Sequence, residues 1–353
     1  MLASKSSDTY NVVDIIDNCK SLIVMIKIDL VTGFLGSGKT TFIHRYVAFL
    51  MSRGLRVAIL ENDYGAVNID MLLLHDLEEA GCELEMIAGG CDFDCHVRRF
   101  RTKLISMAMR GFDRVIVEPS GIFDADEFFD LLHEDPIDRW YEAGSVIGIV
   151  DAGLPDQLSQ ESEYFLVSQL ANAGVVIMSR TQEYPAERQT KTIDHINRAF
   201  QEFMCGRILS ETEILTKEWE MLDEPDFIKI MTAGINQADH IKLQILDDNG
   251  FKTLYFLDIP LSLSELSVIV RELFRNEEHY GRVIRVKGFH HEDDRWFEIN
   301  AAHDELTIND CSCGQEVFLV IGESLQQNAI AARVIPSAMM DQVWHNGQVY
   351  KGN

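Results

Sequence analysis

Residues 25–41 read Met-Ile-Lys-Ile-Asp-Leu-Val-Thr-Gly-Phe-Leu-Gly-Ser-Gly-Lys-Thr-Thr, and this stretch decides the fold. An apolar run of strand length leads into a glycine-rich segment, after which a helical pattern continues from Lys39 to Met51. Positions 33–40 satisfy the pattern Gly-x-x-x-x-Gly-Lys-[Ser/Thr] between a strand and a helix, the context that a phosphate-binding loop (P-loop) requires. The stretch therefore predicts a site for a nucleoside triphosphate.

The residue types of the P-loop suit phosphate chemistry. Glycines let successive backbone N–H groups point at a β-phosphate, and the helix N-terminus adds partial positive charge. The positions predicted to form this cradle are Gly33, Gly36, Ser37 and Gly38. We expect Lys39 to contact the β- and γ-phosphate oxygens, Thr40 to offer its hydroxyl to Mg²⁺, and Thr41 to lie beside the α-phosphate.

A second acidic group is expected at the end of a neighbouring strand, where it can hold the metal ion. The segment Val115-Ile-Val-Glu118-Pro-Ser-Gly121 fits this role. We predict that Glu118 holds Mg²⁺ through water and that the amide of Gly121, which no side chain obstructs, approaches the γ-phosphate.

The order of elements predicts the architecture. Strand-like runs alternate with helical patterns from about residue 25 to 205, which indicates an α/β fold with a doubly wound, mostly parallel sheet of the P-loop NTPase type. A smaller C-terminal α+β domain should follow. The predicted divisions are residues 1–24 as an N-terminal extension, 25–205 as the P-loop domain, 206–250 as a connector and 251–353 as the C-terminal domain.

Composition limits the partners and the location. The chain has 31 Lys and Arg against 57 Asp and Glu, a net charge of −26, which repels both phosphate backbones and anionic lipid, so we expect neither nucleic acid nor a membrane as partner. Residues 1–24 lack the pattern of a signal peptide, so a cytoplasmic location is predicted. Seven cysteines are too few and too irregularly spaced for a disulfide framework.

Beyond the P-loop, several motifs resemble those of the CobW-type GTPases, relatives of the urease and hydrogenase nickel-insertion GTPases and generally regarded as metal chaperones. Glu118 to Gly121 resembles the family's Glu-x-x-Gly motif. Asn62-Asp63-Tyr64-Gly65 resembles its Asn-Glu-Phe-Gly switch, with Asp63 replacing glutamate. In the second half, residues 281–289 and 318–322 resemble the family's C-terminal module.

The resemblance implies a nucleotide-dependent function. We expect GTP binding and slow hydrolysis, coupled to delivery of a metal or metallocofactor to a client protein. Lys39 and Mg²⁺ would neutralise developing charge, while Asp63 or Glu118 would orient the attacking water. The alternative is a regulatory switch that activates a client enzyme without binding a transition metal. A homodimer is left open.

One departure from the family concerns its metal-binding cysteines. The family usually carries Gly-Cys-x-Cys-Cys, whereas this chain reads Gly90-Cys91-Asp92-Phe93-Asp94-Cys95-His96. Cys91 and Cys95, with flanking carboxylates and an imidazole, remain chemically competent ligands for Zn²⁺ or a related ion. The alternative is that both are inert thiols in a remodelled loop.

A second departure concerns the base. The family's Asn-Lys-x-Asp motif is replaced by Ser179-Arg180-Thr181-Gln182, so the aspartate that accepts both guanine N–H groups is missing. Gln182 can accept one hydrogen bond and Arg180 can lie along a purine face. GTP is the nucleotide implied by the family, and ATP or relaxed specificity stays open.

Overall fold

A computed structural model describes residues 25–62, 74–87, 93–119, 125–210, 213–243, 251–257, 259–302, 305–311, 316–335 and 349–351. Within these residues the strands form two sheets, one of seven strands and one of six. No helix in the described ranges is both long and apolar enough to cross a bilayer.

The seven-stranded sheet is parallel throughout and has the order β3-β2-β4-β1-β5-β6-β7. Its strands are β1 (Ile26–Thr32), β2 (Val57–Asn62), β3 (Glu83–Ile87), β4 (Arg114–Pro119), β5 (Tyr141–Asp151), β6 (Val175–Ser179) and β7 (Ile214–Leu215). The first strand, β1, lies at the centre, so the P-loop that follows it emerges in the middle of the carboxyl edge, where α/β sheets bind ligands.

Helices cover both faces of this sheet. They are α1 (Lys39–Ser52), α2 (His75–Glu79), α3 (Phe93–Ala108), α4 (Ala125–Leu132), α5 (Gln160–Ala171), α6 (Ala186–Glu202) and α7 (Glu224–Met231). Alternate residues of β1 point to opposite cores: Leu30 joins the core formed with α3 to α6, and Val31 joins the core formed with α1, α2 and α7. The predicted doubly wound α/β fold is thus confirmed.

The segment predicted as a connector contributes to this first sheet. Ile214 and Leu215 pair with Val176 and Ile177 of β6, forming an edge strand. Helix α7 buries Phe227 in the same core as α1. The stretch between 206 and 243 therefore packs on the first domain, with Ile214 in the core formed with α3 to α6 and Phe227 and Ile230 in the core formed with α1, α2 and α7.

The second sheet has the order β11-β10-β9-β12-β8-β13. Its strands are β8 (Phe251–Leu257), β9 (Arg282–Glu292), β10 (Arg295–Ala302), β11 (Glu305–Cys311), β12 (Val317–Glu323) and β13 (Val349–Lys351), and its neighbours are antiparallel except that β13 runs parallel to β8. Helices α8 (Leu263–Arg275), α9 (Glu277–Tyr280) and α10 (Gln327–Val334) pack on one face. This is the predicted smaller α+β domain.

The other face of the second sheet meets the first domain beside the P-loop. The rings of Phe34 and Phe251 make an edge-to-face contact with centroids 6.0 Å apart. Farther along, Ser162 donates to the carboxylate of Glu323, which also pairs with Arg282 at 3.6 Å. Apolar and ionic contacts therefore hold the second sheet against the nucleotide side of the first.

Candidate nucleotide site

The P-loop has the backbone that its glycines predict. Gly33 and Gly38 have φ angles of +154° and +96°, a region that residues with a side chain rarely adopt. A Cβ on Gly33 would lie 2.4 Å from the carbonyl oxygen of Ile149, and one on Gly38 would lie 3.0 Å from the ring of Trp219. Both positions therefore require glycine, and Gly38 also forms the N-cap of α1.

The lysine and threonine that follow are buried at the head of α1. Lys39 Nζ donates a 2.8 Å hydrogen bond to the carbonyl oxygen of Gly33, and its residue is 6% exposed. Thr40 Oγ1 donates to Glu118 Oε1 over 2.9 Å, although the two residues are 78 positions apart. The structure thus brings together the two predicted Mg²⁺ ligands directly beside the P-loop lysine.

These groups fit a phosphate-bound magnesium ion. Mg²⁺ prefers oxygen ligands and uses few protein groups, and a hydroxyl with a carboxylate meets that need. Within the described part of the chain, Ser37 Oγ is buried and has no hydrogen-bond partner. The loop therefore offers a hydroxyl that can donate a hydrogen bond to a phosphate oxygen. Thr41 follows on α1 and lines the cavity that extends from the P-loop, described below.

A second buried carboxyl, Glu61, was not predicted. It is the next-to-last residue of β2 and lies directly opposite Glu118 in the register of β2 and β4, and its interaction lowers the pKa of the Glu118 carboxyl. Two carboxylates on paired positions repel each other, which favours a state in which one of the two carries a proton. The sequence signal was an acidic residue at the end of an apolar strand, but pairing β2 with β4 needed the sheet order.

The charge of Glu118 is controlled by opposing effects. Burial raises the pKa of its carboxyl above the ordinary value, and the positive charge of Lys39 is the largest effect in the opposite direction. Arg285, from the second sheet, also lowers the pKa of this group. The site therefore holds a buried carboxyl surrounded by cations, an environment in which a bound cation would favour the carboxylate form.

A cavity of about 950 Å³ extends from the P-loop between the two domains. From the first domain it is lined by P-loop and α1 residues, Glu118, the end of β6 and the segment after β7. From the second sheet it is lined by Arg285, Lys287, Glu298, Asn300 and Asn309. A volume of this size accommodates a nucleotide.

The segment predicted to read the base forms one wall of this cavity. Arg180 has a left-handed backbone (φ +54°), and its guanidinium pairs with Asp151 and lies 3.4 Å from the carbonyl oxygen of Gly36. Gln182 lines the cavity together with Trp219, whose indole N–H donates to the carbonyl oxygen of Met178 over 3.1 Å. Trp219, like Glu61, was not predicted from the sequence.

Several predicted site residues lie outside the described residues. These are Asp63, Cys91 and Gly121; Cys95 lies in α3, but its side chain is also outside them. Among the side chains that the structure describes, no group of three or more His, Cys, Asp and Glu residues is arranged to hold a metal ion. The predicted cysteine site therefore stays a prediction.

Comparison with known proteins gives a family match over the first domain and relatives that are 24% and 30% identical. Residues 27–204 match the family model "CobW/HypB/UreG, nucleotide-binding domain". The zinc chaperone YeiR of Escherichia coli is 30% identical over 221 residues, which cover 62% of this chain and 65% of YeiR. The zinc chaperone YjiA of the same organism is 24% identical over 280 residues, 74% of this chain and 81% of YjiA.

Among solved structures, that of the Zn(II)-bound YjiA GTPase from E. coli aligns with 88% of this chain and 98% of its own, at 16% identity and a TM-score of 0.35. The assignment to a family rests on the match in sequence and not on this structural alignment. It covers just over half of the 353 residues and includes the P-loop, Glu118 and the end of β6. The chain therefore belongs to the CobW/HypB/UreG family, through its nucleotide-binding domain.

Proposed function

We propose that the protein binds a nucleoside triphosphate with Mg²⁺, hydrolyses it slowly, and couples this cycle to delivery of a divalent metal or metallocofactor to a client protein. The observation that carries the nucleotide part is the contact of Thr40 with Glu118 beside Lys39, at the mouth of the cavity. The relatives named zinc chaperones support zinc as the metal that is delivered. GTP is the triphosphate that the family favours.

Thr40 and Glu118 would hold the magnesium ion, which supplies charge neutralisation and Lewis acidity when bound. Lys39 exchanges its bond to the Gly33 carbonyl for phosphate oxygens and neutralises charge on the transferring group. Asp63 directly follows β2, whose last residue pairs with Pro119 next to Glu118, so either carboxylate can orient the attacking water. Turnover is slow because the chain offers positioning rather than a strong base.

The proposed metal-carrying thiols follow the edge strand of the same sheet. β3 ends at Ile87, paired with Asn62 of β2, and α3 begins at Phe93. The segment that carries Cys91 therefore follows Ile87 in the chain, and Ile87 is paired with Asn62, the residue before the switch residue Asp63. A change in the switch on nucleotide binding would act on this segment through β2 and β3.

The first test of the full proposal is coupling between metal and nucleotide. Zn²⁺ bound by Cys91 and Cys95 should change the affinity for GTP, and GTP should change the affinity for Zn²⁺ by the same factor, about 5- to 150-fold, because linkage is reciprocal. Calorimetric titration of Zn²⁺, Ni²⁺ and Co²⁺ with and without a non-hydrolysable GTP analogue, and of the analogue with and without the metal ion, measures both changes in affinity.

The double variant Cys91→Ser, Cys95→Ser should lose the metal affinity and the coupling. Cys311→Ser is the matched control, because Cys311 lies on β11 in the second sheet and its loss should change neither. If the parent binds none of these ions more tightly than about micromolar, or the double variant binds them equally well, the metal-free regulatory switch replaces the chaperone reading. The loss of the adjacent Cys-Cys pair of the family motif, which is Phe93-Asp94 here, is the observation that favours that alternative.

The second test concerns the base. With Gln182 where an aspartate would accept two guanine N–H groups, the preference of the parent for GTP over ATP should stay below about a thousandfold, roughly 4 kcal/mol. Gln182→Asp should strengthen GTP binding by about tenfold or more through a charge-assisted pair and leave ATP unchanged. Competition of GTP, ATP and XTP against a fluorescent nucleotide measures this.

Gln201→Asp is the matched control for that test, since it adds the same charge at an exposed position of α6. Equal effects of the two substitutions on GTP would mean that added charge, and not base contact, changed the affinity. A parent preference above a thousandfold would mean that other wall residues, Trp219 foremost, read the base.

A further inference from the structure

The face of β9 that looks toward the P-loop carries two cations. Along this strand Val286 points into the core beneath α8 and α10. Arg285 and Lys287 alternate with it and therefore lie on the opposite face of the sheet. That face is the one turned toward the first domain.

The register of the second sheet places these cations close to the phosphate loop. Arg285 is paired with Ala302 and Lys287 with Asn300 on the neighbouring strand β10. Ala302 itself touches the P-loop, since a Cβ built on Gly36 would lie 3.3 Å from the Ala302 Cβ. Arg285 is thus one strand away from a residue that packs on the loop.

Both cations line the same cavity as the predicted phosphate and magnesium groups Lys39, Thr40 and Glu118. Arg285 is near enough to Glu118 for its charge to act on that carboxyl. Arg285 therefore lies on the side of the cavity where Thr40 and Glu118 are predicted to hold Mg²⁺. Gln182 and Trp219 belong to the wall that is predicted to contact the base. Lys287 is only 4% exposed although it carries an ammonium group.

The cavity brings Lys287 and Arg285 together with Lys39, and over its whole lining five Lys and Arg residues face three glutamates, whereas the chain as a whole has a net charge of −26. A polyanion that reaches past Lys39 toward the second sheet satisfies this distribution.

We propose that Arg285 and Lys287 contact the terminal phosphate of the bound triphosphate, so that both domains hold one nucleotide and the second sheet distinguishes triphosphate from diphosphate. This inference rests on the nucleotide binding proposed above. A diphosphate ends at the P-loop and makes fewer contacts with β9. Hydrolysis would then weaken the attachment of the second sheet to the P-loop, because a ligand shifts a conformational equilibrium only through its different affinity for the two states.

The test compares a non-hydrolysable GTP analogue with GDP, both with Mg²⁺, by calorimetry on the full chain. The variant Arg285→Gln, Lys287→Gln should bind the triphosphate analogue roughly tenfold to a hundredfold more weakly and GDP less than about threefold more weakly. Arg295→Gln is the matched control, because this arginine belongs to the same sheet but is 63% exposed and pairs with Asp310. It should bind both nucleotides as the parent does.

The outcomes separate this inference from the proposed function. A parent that binds neither nucleotide overturns both. If the parent binds both nucleotides and the double variant keeps both affinities, or loses both by the same factor, only the proposed role of β9 is overturned. If thermal melting shows that the double variant does not fold, the single variant Arg285→Gln is tested instead, because Arg285 is only half-buried and the buried Lys287 is kept. An unchanged ratio of the affinities for the triphosphate analogue and GDP in this variant contradicts the proposal.

Discussion

Replacing Lys39 with alanine is expected to weaken triphosphate binding by about a hundredfold or more and to abolish measurable hydrolysis, while the first domain stays folded. The ammonium group sits at the head of α1, hydrogen-bonded only 2.8 Å from the Gly33 carbonyl, where it can move to the β- and γ-phosphates. Charge-assisted contacts to phosphate are among the strongest hydrogen bonds in proteins, and no neighbouring residue of α1 can replace this one.

Calorimetry with the GTP analogue and a phosphate-release assay measure these two losses. Lys27→Ala serves as the control, because Lys27 lies near the start of β1, is 45% exposed and pairs with Glu142. Its loss should affect neither binding nor hydrolysis. A Lys39→Ala protein that binds GTP and ATP as tightly as the parent would contradict the assignment of the P-loop.

The parts of the fold that the sequence predicted are those determined by local pattern. The strand, glycine loop and helix around Gly33 to Thr40 follow from residues that are adjacent in the chain, and Glu118 was predicted because an apolar strand ended in an acid. Strands buried on both faces read as continuous apolar runs, which is why β1, β4 and β6 were found.

What the sequence could not predict depends on contacts between distant segments. β3 is half-exposed along most of its length, so it lacked the apolar run of a central strand. Glu61 gained its role from the pairing of β2 with β4, and Arg285 from the packing of a second domain on the P-loop. Neither sheet order nor domain packing is encoded in spacing along the chain.

The segment that departs from the family's base-reading motif is held in place on the cavity wall. Arg180 contacts the P-loop carbonyl of Gly36 and pairs with Asp151, so the altered base motif keeps a cation that fixes its position. Gln182 stays on the cavity wall, but an amide cannot reproduce the paired acceptors of a carboxylate. The altered base segment thus lies on the cavity wall, and we expect its selectivity to depend on the hydrogen bonds that Gln182 can make.

The substitution Glu118→Gln should separate stability from function. The amide has nearly the same shape, accepts the hydrogen bond from Thr40 Oγ1, and can donate to Glu61 without sharing a proton. It also removes a buried carboxyl whose charged form is disfavoured by burial, so the nucleotide-free variant should be at least as stable as the parent at neutral pH. Thermal and urea unfolding without nucleotide measure this effect.

The same variant should lose magnesium-dependent function, because a neutral amide cannot balance the charge of the ion as a carboxylate does. Hydrolysis should fall by about a hundredfold or more, since charge neutralisation by the metal contributes several kcal/mol to the transition state. Binding of the GTP analogue should become nearly the same with Mg²⁺ as with a chelator, whereas Glu142→Gln, at an exposed position of β5, should keep the difference. A Glu118→Gln protein that retains the full magnesium dependence would assign the ion to Glu61 instead, because that carboxyl is the next one along the carboxyl edge of the sheet and its strand position is matched to Glu118.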